Sequence, residues 1–284
     1  MNILVTGGSG FVGGYVFRYF QEKGYSVKSF DVYGDESCDS FIKGSILDFE
    51  ALSKAIIDNN ISIIFHFAGF ANINKVKESP RECIDLNILG TTNILEASRL
   101  KGNTSVVLAS SVYVHSHHGH LYTTSKVAAE RILQDYTSLY NLDSNIIRLG
   151  TVYGERSRHE DVISIFAKKI NNKESISISG DGKQTRNFIH GEDVAKACES
   201  IIINKVSGEI LIISGESPTS INQIASYFKD INPNICIVRD SISNREDDYD
   251  GNLGEVKNTY QKLNWKPKIS ILEGIKRLIS YHKE

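Results

Sequence analysis

The chain has 284 residues, with 32 Lys and Arg against 34 Asp and Glu, so its formal charge of -2 gives no reason to expect nucleic acid as a partner. Hydrophobic residues make up 40% and charged residues 23%, which is typical of a globular protein with a sizeable core and excludes disorder as its main state. Because the sequence has no apolar run of about 20 residues and no basic leader after Met1, we expect a cytoplasmic protein that has no membrane partner.

The first half of the chain alternates strand-like and helix-like segments, which is the order of a parallel sheet. The predicted elements are strand 3–6, helix 11–23, strand 26–31, helix 49–59, strand 62–67, helix 81–101, strand 105–109, helix 122–140 and strand 144–149. Shorter helical patterns follow near 160–171, 193–203, 220–229 and 270–282. We predict an α/β fold, with a Rossmann-type, doubly wound parallel sheet in 1–150 and a smaller, partly interleaved C-terminal α/β lobe for substrate in 151–284.

A glycine-rich turn lies between the first predicted strand and the first predicted helix. Gly7, Gly10 and Gly13 give the spacing G-x-x-G-x-x-G, with Phe11 and Val12 inside the turn. Without side chains, backbone N–H groups at the start of the helix can approach a pyrophosphate, whose charge the helix dipole also favours. Glycines also form plain turns, but this position after an apolar strand predicts dinucleotide binding.

Two acidic residues lie where they could contact the adenosine half of that dinucleotide. Asp31 ends the second predicted strand, where a carboxylate can accept hydrogen bonds from both ribose hydroxyls and would repel a 2′-phosphate. We therefore expect NAD rather than NADP. Asp48 could hydrogen-bond the adenine amino group, but an Asp just before a helix is equally suited to be an N-cap.

A possible catalytic pair lies in the helix predicted at 122–140. Tyr122 and Lys126 are four residues apart and therefore share one face of the helix. A neighbouring Lys⁺ and an oxidised nicotinamide both stabilise a phenolate, so we expect the pKa of Tyr122 to fall below its usual value near 10 and Tyr122 to act as a general base. Ser111 follows the preceding predicted strand and could bind the same substrate oxygen.

Taken together, these motifs resemble those of the NAD-dependent epimerase/dehydratase family, extended short-chain dehydrogenases/reductases that act on nucleotide sugars. The resemblance covers nearly the whole chain. Besides the glycine turn and the Tyr-Lys pair, the matching segments are His66-Phe67-Ala68-Gly69, Ser79-Pro80, Asn87-Ile88-Leu89-Gly90-Thr91, Arg148 to Gly154, Gly180 to His190 and Leu263 to Lys268.

The resemblance implies roles for individual residues. Ser111, Tyr122 and Lys126 occupy the catalytic positions, with Lys126 also holding the nicotinamide ribose, while Phe67 and Ala68 line the cofactor site. Thr151 occupies a sugar-nucleotide contact position where the family often has Asn. Arg186 and Arg245 match arginines that grip the diphosphate, which suits the bidentate bonding of guanidinium, although Arg245 could instead pair with its acidic neighbours. A homodimer through the helices at 81–101 and 122–140 is also implied.

One departure from the family pattern bears on the reaction. Family 4,6-dehydratases carry an Asp-Glu pair directly after the catalytic Ser or Thr, whereas Ser111 is followed by Val112-Tyr113. This change disfavours dehydration and weakens the case for decarboxylation. The segment between Ser111 and Tyr122 is shorter than usual, which indicates a more open pocket. We therefore predict NAD-dependent oxidoreduction at C4 of a nucleotide-diphosphate sugar, with epimerisation through a 4-keto intermediate favoured over a 4-dehydrogenase or 4-keto reductase.

Two other classes of function stay open at this point. A non-catalytic dinucleotide-binding regulator would commonly lose the Tyr-Lys pair, which is retained here, and a dehydrogenase of steroids or flavonoids would not need the two arginines. No metal is expected. The four cysteines are scattered, and the histidines of segment 115–120 have no second set of ligands near them in sequence, so we interpret that segment as a solvated loop.

Overall fold

A seven-stranded parallel sheet forms the centre of the protein in the computed structural model, which describes residues 1–72, 75–115, 120–157, 161–240 and 256–281. Its strands are β1 (Asn2–Thr6), β2 (Ser26–Asp31), β3 (Phe41–Lys43), β4 (Ile63–His66), β5 (Ser105–Ser111), β6 (Ser144–Leu149) and β11 (Ile210–Ile213). They lie in the order β11-β6-β5-β4-β1-β2-β3. From β1 the order runs outward in both directions, which is the doubly wound arrangement. The predicted fold class is confirmed.

Helices cover both faces of the sheet. On one face lie α1 (Phe11–Glu22) and α7 (Gly191–Ile203), and on the other lie α2 (Phe49–Asp58), α4 (Gly90–Lys101) and α5 (Leu121–Tyr140). Side chains alternate between the faces, so Val5 packs under the first layer while its neighbour Leu4 packs under the second. The near-continuous apolar sequence of the strands follows from this burial on both sides.

The helix predicted at 81–101 differs from the observed structure. It consists of α3 (Pro80–Ile84), one π-helical turn at Asp85–Leu89, and α4. The wider turn contains Asn87, whose side chain is buried and hydrogen-bonded to Phe70 and Ser125. These tertiary contacts account for a departure that helical periodicity could not indicate.

A second, smaller core gathers residues from beyond 150. Its strands form three short pairs: β7 (Thr151–Tyr153) with β10 (Phe188–His190), β8 (Ile176–Ser179) with β13 (Ile237–Asp240), and β9 (Thr185–Arg186) with β12 (Thr219–Ser220). Its helices are α6 (Val162–Asn171), α8 (Ile221–Ile231) and α10 (Ile271–Tyr281), while α9 (Val256–Lys262) packs beside β11. A division into lobes at residue 150 stays a prediction. Within the described ranges, none of the helices is both long and apolar enough to cross a membrane.

Candidate active site

The glycine-rich turn leaves room for backbone only. Gly7 has φ +74°, and its carbonyl accepts a hydrogen bond of 2.9 Å from the Gly10 N–H. A Cβ on Gly13 would lie 2.3 Å from that carbonyl oxygen, and a Cβ on Gly7 would lie 2.6 Å from the Ala68 nitrogen. Helix α1 then begins at Phe11 with no side chain capping it. The first-turn N–H groups of Phe11 and Val12 are therefore placed to receive a pyrophosphate, so the turn fits a dinucleotide.

The end of β4 closes the other side of this turn. The Phe67 N–H donates to the Thr6 carbonyl at 3.0 Å, and the Cβ of Phe67 would lie 3.2 Å from a Cβ placed on Gly13. The Ala68 N–H lies 3.4 Å from the Thr6 hydroxyl. Phe67 and Ala68 thus lie directly beside the glycine turn, as their predicted cofactor role requires.

The two acidic residues differ in their surroundings. Asp31 lies beside the glycine turn, where its Oδ2 accepts a hydrogen bond of 3.0 Å from the Ser9 N–H. Asp48 is the N-cap of α2, and its Oδ1 accepts a hydrogen bond of 3.0 Å from the Ala51 N–H. Of the two interpretations left open for Asp48, capping is therefore observed, and a contact with adenine stays a prediction.

Three residues expected to be catalytic meet where β5 ends and α5 begins. The His120 side chain caps α5 by accepting a hydrogen bond of 3.2 Å from the Thr123 N–H, which fixes the first helical turn and with it Tyr122. Tyr122 and Ser111 are each 8% exposed, and the Ser111 side chain is close enough to the phenol to favour its ionised form and so act to lower its pKa. One turn further on, Lys126 donates from Nζ to the Ala109 carbonyl at 3.0 Å.

Burial dominates the electrostatics of these groups. It raises the pKa of Tyr122 to about 12, against the opposing effect of the Ser111 hydrogen bond. Burial also lowers the pKa of Lys126 to about 8, although nearby Cys83 and Glu130 oppose that shift. The lowering of the Tyr122 pKa expected from Lys126 together with an oxidised nicotinamide stays a prediction for the cofactor-bound enzyme, since in the protein alone desolvation of the phenolate raises that pKa.

A buried polar network supports the first turn of α5. Asn87 donates from Nδ2 to the Ser125 hydroxyl at 2.9 Å and to the Phe70 carbonyl at 3.0 Å, and its Oδ1 accepts from the Phe70 N–H at 2.7 Å. Ser125 in turn donates to the Tyr122 carbonyl at 2.7 Å. Asn87 belongs to one of the family-like segments of the sequence, but no role was predicted for it. No local sequence pattern could have placed it beneath Tyr122.

His66 is a second residue that sequence reasoning left without a role. Its ring is 1% exposed, with Nδ1 2.7 Å from the Thr6 hydroxyl and Nε2 3.2 Å from the Thr91 hydroxyl. Burial and then the charge of Lys126 lower the pKa of His66 to about 3. The Thr91 hydroxyl donates its hydrogen to the Asn87 carbonyl at 2.7 Å, so its oxygen must act as the acceptor in the bond with His66. His66 therefore carries its hydrogen on Nε2. A neutral His66 thus joins β1, β4 and α4 beside the cofactor turn.

The residues predicted to hold substrate lie in the smaller core. Thr151 begins β7, and its N–H donates to the Asn187 carbonyl at 2.9 Å. Arg186 lies in β9, and its Nη1 donates to the Thr185 carbonyl at 2.7 Å. Thr151 is paired with Phe188, so it lies on the strand next to the chain segment that carries Arg186. Arg245 and residues 116–119 of the histidine-rich loop lie outside the described residues.

In the part of the chain that the structure describes, no group of three or more His, Cys, Asp or Glu side chains could hold a metal ion. The described site consists of the glycine-rich turn, the carboxylate of Asp31, and a cluster of buried Ser111 and Tyr122 with half-buried Lys126. Gly69, which follows Phe67 and Ala68 at the glycine turn, also lies close to the catalytic side of the site. A Cβ at this position would lie 2.6 Å from Asn87 Oδ1 and 3.9 Å from Lys126 Nζ.

Comparison with known proteins gives one consistent family. The NAD dependent epimerase/dehydratase family matches residues 3–214. A candidate UDP-glucose 4-epimerase of Methanocaldococcus jannaschii is 33% identical over 99% of this chain and 98% of its own length. The UDP-glucuronate 4-epimerase of Thermodesulfobacterium geofontis is 30% identical over 99% of this chain and 96% of its own length.

The solved structures agree with the sequence comparison. The UDP-glucose 4-epimerase of Thermotoga maritima, crystallised with UDP-glucose, superposes with a TM-score of 0.89 at 25% identity, covering 100% of this chain and 99% of that one. The resemblance first indicated by the motifs is thereby confirmed. This chain belongs to the NAD-dependent epimerase/dehydratase family of extended short-chain dehydrogenases/reductases and is an NAD-dependent enzyme.

Proposed function

We propose that the protein is a nucleotide-sugar 4-epimerase that acts on a UDP-hexose or UDP-hexuronate. The observation that carries the proposal is the cluster of buried Ser111 and Tyr122 with half-buried Lys126 beside the glycine turn, with Val112 and Tyr113 in place of an acidic pair. The UDP-sugar substrate is inferred from the names of the relatives.

The chain's own residues supply the proton chemistry at C4. Tyr122 takes the proton of the C4 hydroxyl, and the Ser111 hydroxyl, which lies near Tyr122, holds the same sugar oxygen in place. NAD would be held by the glycine turn and Lys126, and it would supply the hydride acceptor for C4 and the donor for the return step. Protonation of the resulting 4-keto oxygen by Tyr122 completes either the original sugar or its C4 epimer, depending on which face of the sugar is presented.

The charges in the site are suited to this cycle. A phenol with pKa about 12 holds its proton at neutral pH, so it can serve as the donor in the return step. For the forward step it needs added positive charge, which Lys126 supplies while protonated and which an oxidised nicotinamide adds. We propose that Lys126 also binds the nicotinamide ribose, since Nζ lies beside Gly69 at the cofactor edge.

Binding of the nucleotide sugar is assigned to the smaller core. We propose that Arg186 contacts the diphosphate and Thr151 the sugar nucleotide, with Arg245 as a second diphosphate ligand. A planar guanidinium gives a diphosphate bidentate, charge-assisted hydrogen bonds. Asp31 would accept bonds from the adenosine ribose of NAD and exclude the 2′-phosphate of NADP, in keeping with its place beside the turn.

We propose a homodimer formed through α4 and α5. The two helices pack against each other, and apolar side chains are exposed to solvent on α5 and at the start of α4. Leu89, the last residue before α4, is 49% exposed, and Val127 of α5 is 46% exposed. Pairing the two helices with those of a second copy would bury both residues.

The test uses UDP-glucose and UDP-glucuronate carrying deuterium at C4. An epimerase should yield the C4-inverted sugar with the label retained, because the hydride leaves and returns within one active site. Transfer of the label to free NADH with release of a 4-keto sugar would assign a 4-dehydrogenase instead. A 6-deoxy-4-keto product would contradict the argument from Val112 and Tyr113. The Tyr122→Phe variant serves as the matched control, because it keeps the ring and removes the proton carrier.

A further inference from the structure

A cleft opens on the outer side of α1 and α7. Its volume is about 490 Å³, the size of a small-molecule site. The walls include Tyr15, Arg18 and Tyr19 of α1, Arg156 after β7, and Glu192 and Lys196 of α7. Helices α1 and α7 cover one face of the sheet, whereas α5 with Tyr122 and Lys126 covers the other. This α1–α7 cleft is therefore separated by the sheet from the proposed catalytic residues.

The floor of the α1–α7 cleft is rigidly bonded. The Tyr15 hydroxyl lies 2.6 Å from Glu155 Oε2 and 2.8 Å from the Glu155 carbonyl, and His190 Nε2 lies 3.1 Å from the same Oε2. Burial tends to raise the pKa of Glu155, but the hydrogen bonds from His190 and Tyr15 outweigh it and hold that pKa at about 2. Gly191 packs directly on the Tyr15 ring, since a Cβ there would lie 2.3 Å from it. The cleft is thus formed before any ligand arrives.

Two arginines, Arg18 and Arg156, line the cleft near this floor. The Arg18 guanidinium lies 5.5 Å from the centre of the Tyr15 ring. Burial, and then the positive charge of Arg156, lower the pKa of Arg18, so the two guanidiniums are close enough to repel. Among residues 1–72, 75–115, 120–157, 161–240 and 256–281, neither arginine forms an ion pair.

The acidic residues of the wall do not neutralise these two charges. Glu155 is bonded to Tyr15 and His190, and Glu192 is bonded to Lys196 at 2.6 Å and to Arg277 at 2.9 Å. Glu22, the third wall carboxylate, is exposed and attracts Arg18 only at longer range. The like charges of half-buried Arg18 and exposed Arg156 repel each other, and an anion bound between them would relieve that repulsion.

We propose that the α1–α7 cleft binds a phosphate-bearing small molecule, with Arg18 and Arg156 as the phosphate ligands. Guanidinium groups bind oxyanions by paired, charge-assisted hydrogen bonds, and two of them lining one cleft can hold one phosphate. The rings of Tyr15 and Tyr19, each with a cationic side chain over it, line the cleft beside the arginines. The shared chemistry is the phosphate group, which could come from free phosphate or diphosphate or from a nucleotide.

The test is calorimetric titration of the protein saturated with NAD and UDP, so that added phosphate compounds meet an occupied active site. The probes are inorganic phosphate, diphosphate and AMP. We expect saturable binding of at least one probe, weakened roughly tenfold or more in Arg18→Gln and in Arg156→Gln, because each removes one charged ligand of the phosphate. Arg81→Gln is the matched control, since the Arg81 side chain is 93% exposed on α3, and it should leave the affinity unchanged.

The pattern of binding identifies the source of the phosphate. Tighter binding of AMP than of inorganic phosphate assigns a nucleotide, and equal or weaker binding of AMP assigns free phosphate or diphosphate. Circular dichroism shows whether each variant is folded. If Arg18→Gln does not fold, Arg156→Gln still tests the proposal, because Arg156 is exposed. Absence of saturable binding by all three probes, or affinities that neither variant alters, would overturn the proposal. These readouts depend on the two arginines alone, so they are independent of the reaction proposed at C4.

Discussion

Replacing Asn87 by alanine tests whether the buried network under Tyr122 holds the site together. Asn87 is 1% exposed, and its side chain makes hydrogen bonds to the Phe70 N–H, the Phe70 carbonyl and the Ser125 hydroxyl. Each buried group left without a partner costs about 1–3 kcal/mol, and some will find water. We therefore expect the free energy of unfolding to fall by about 3 to 5 kcal/mol, a large share of the roughly 5–15 kcal/mol available to a typical protein.

Urea unfolding at pH 7, followed by circular dichroism, measures that loss. Asn93→Ala is the matched control, because the half-buried Asn93 on the following helix makes one side-chain hydrogen bond, to the Ile46 carbonyl at 2.9 Å. It should cost about 1 kcal/mol. Turnover should fall further in Asn87→Ala than in the control, since Ser125 would lose one of its bonds beneath Tyr122. Equal losses of stability in the two variants would refute the reasoning.

Three further predictions concern the cofactor, the base and the buried imidazole. Asp31→Asn should weaken NAD binding and should lower the preference for NAD over NADP, because the charge that repels a 2′-phosphate is removed. An unchanged ratio of the two dissociation constants would count against the role of Asp31. Tyr122→Phe should bind NAD and fold normally, yet lose about 10²–10⁴ in turnover, and near-normal rates would dismiss it as the base. His66, with a folded pKa of about 3 against 6.5 when unfolded, takes up its proton far more readily after unfolding. The free energy of unfolding should therefore fall with pH below 6.5, by about 2 kcal/mol at pH 5. His66→Gln should reduce the change in the free energy of unfolding between pH 6.5 and pH 5, as measured by urea titration at each pH. An unaltered change would assign the pH dependence to other groups.

The central sheet and the glycine turn could be predicted because local signals specify them. Apolar runs mark strands buried on both faces, and three glycines at fixed spacing mark a turn that only backbone can occupy. The placement of Ser111 near Tyr122 also followed, since one ends a strand and the other opens the next helix. The sequence patterns that identify these features are local, although the strands themselves pair across long stretches of chain.

Other features depend on contacts across the fold and could not be predicted in the same way. The π-helical turn at Asp85–Leu89 follows from bonds between Asn87 and residues 17 and 38 positions away. The raised pKa of Tyr122 in the protein without cofactor could not be predicted, because the spacing to Lys126 is visible in the sequence but the burial of the phenol is not. For Asp48 the sequence left two roles equally open, and only the position of the Ala51 N–H distinguishes the observed cap.

The last strand of the central sheet has a consequence for how the protein is made. Strand β11 (Ile210–Ile213) pairs with β6, but the whole of β7–β10 with α6 and α7 separates the two along the chain. During synthesis, β6 therefore emerges from the ribosome well before its partner and presents an open row of N–H and C=O groups meanwhile. Chains that stop before residue 210 keep that open edge permanently, so truncation there should favour aggregation. Expression of N-terminal fragments should extend at least through β11.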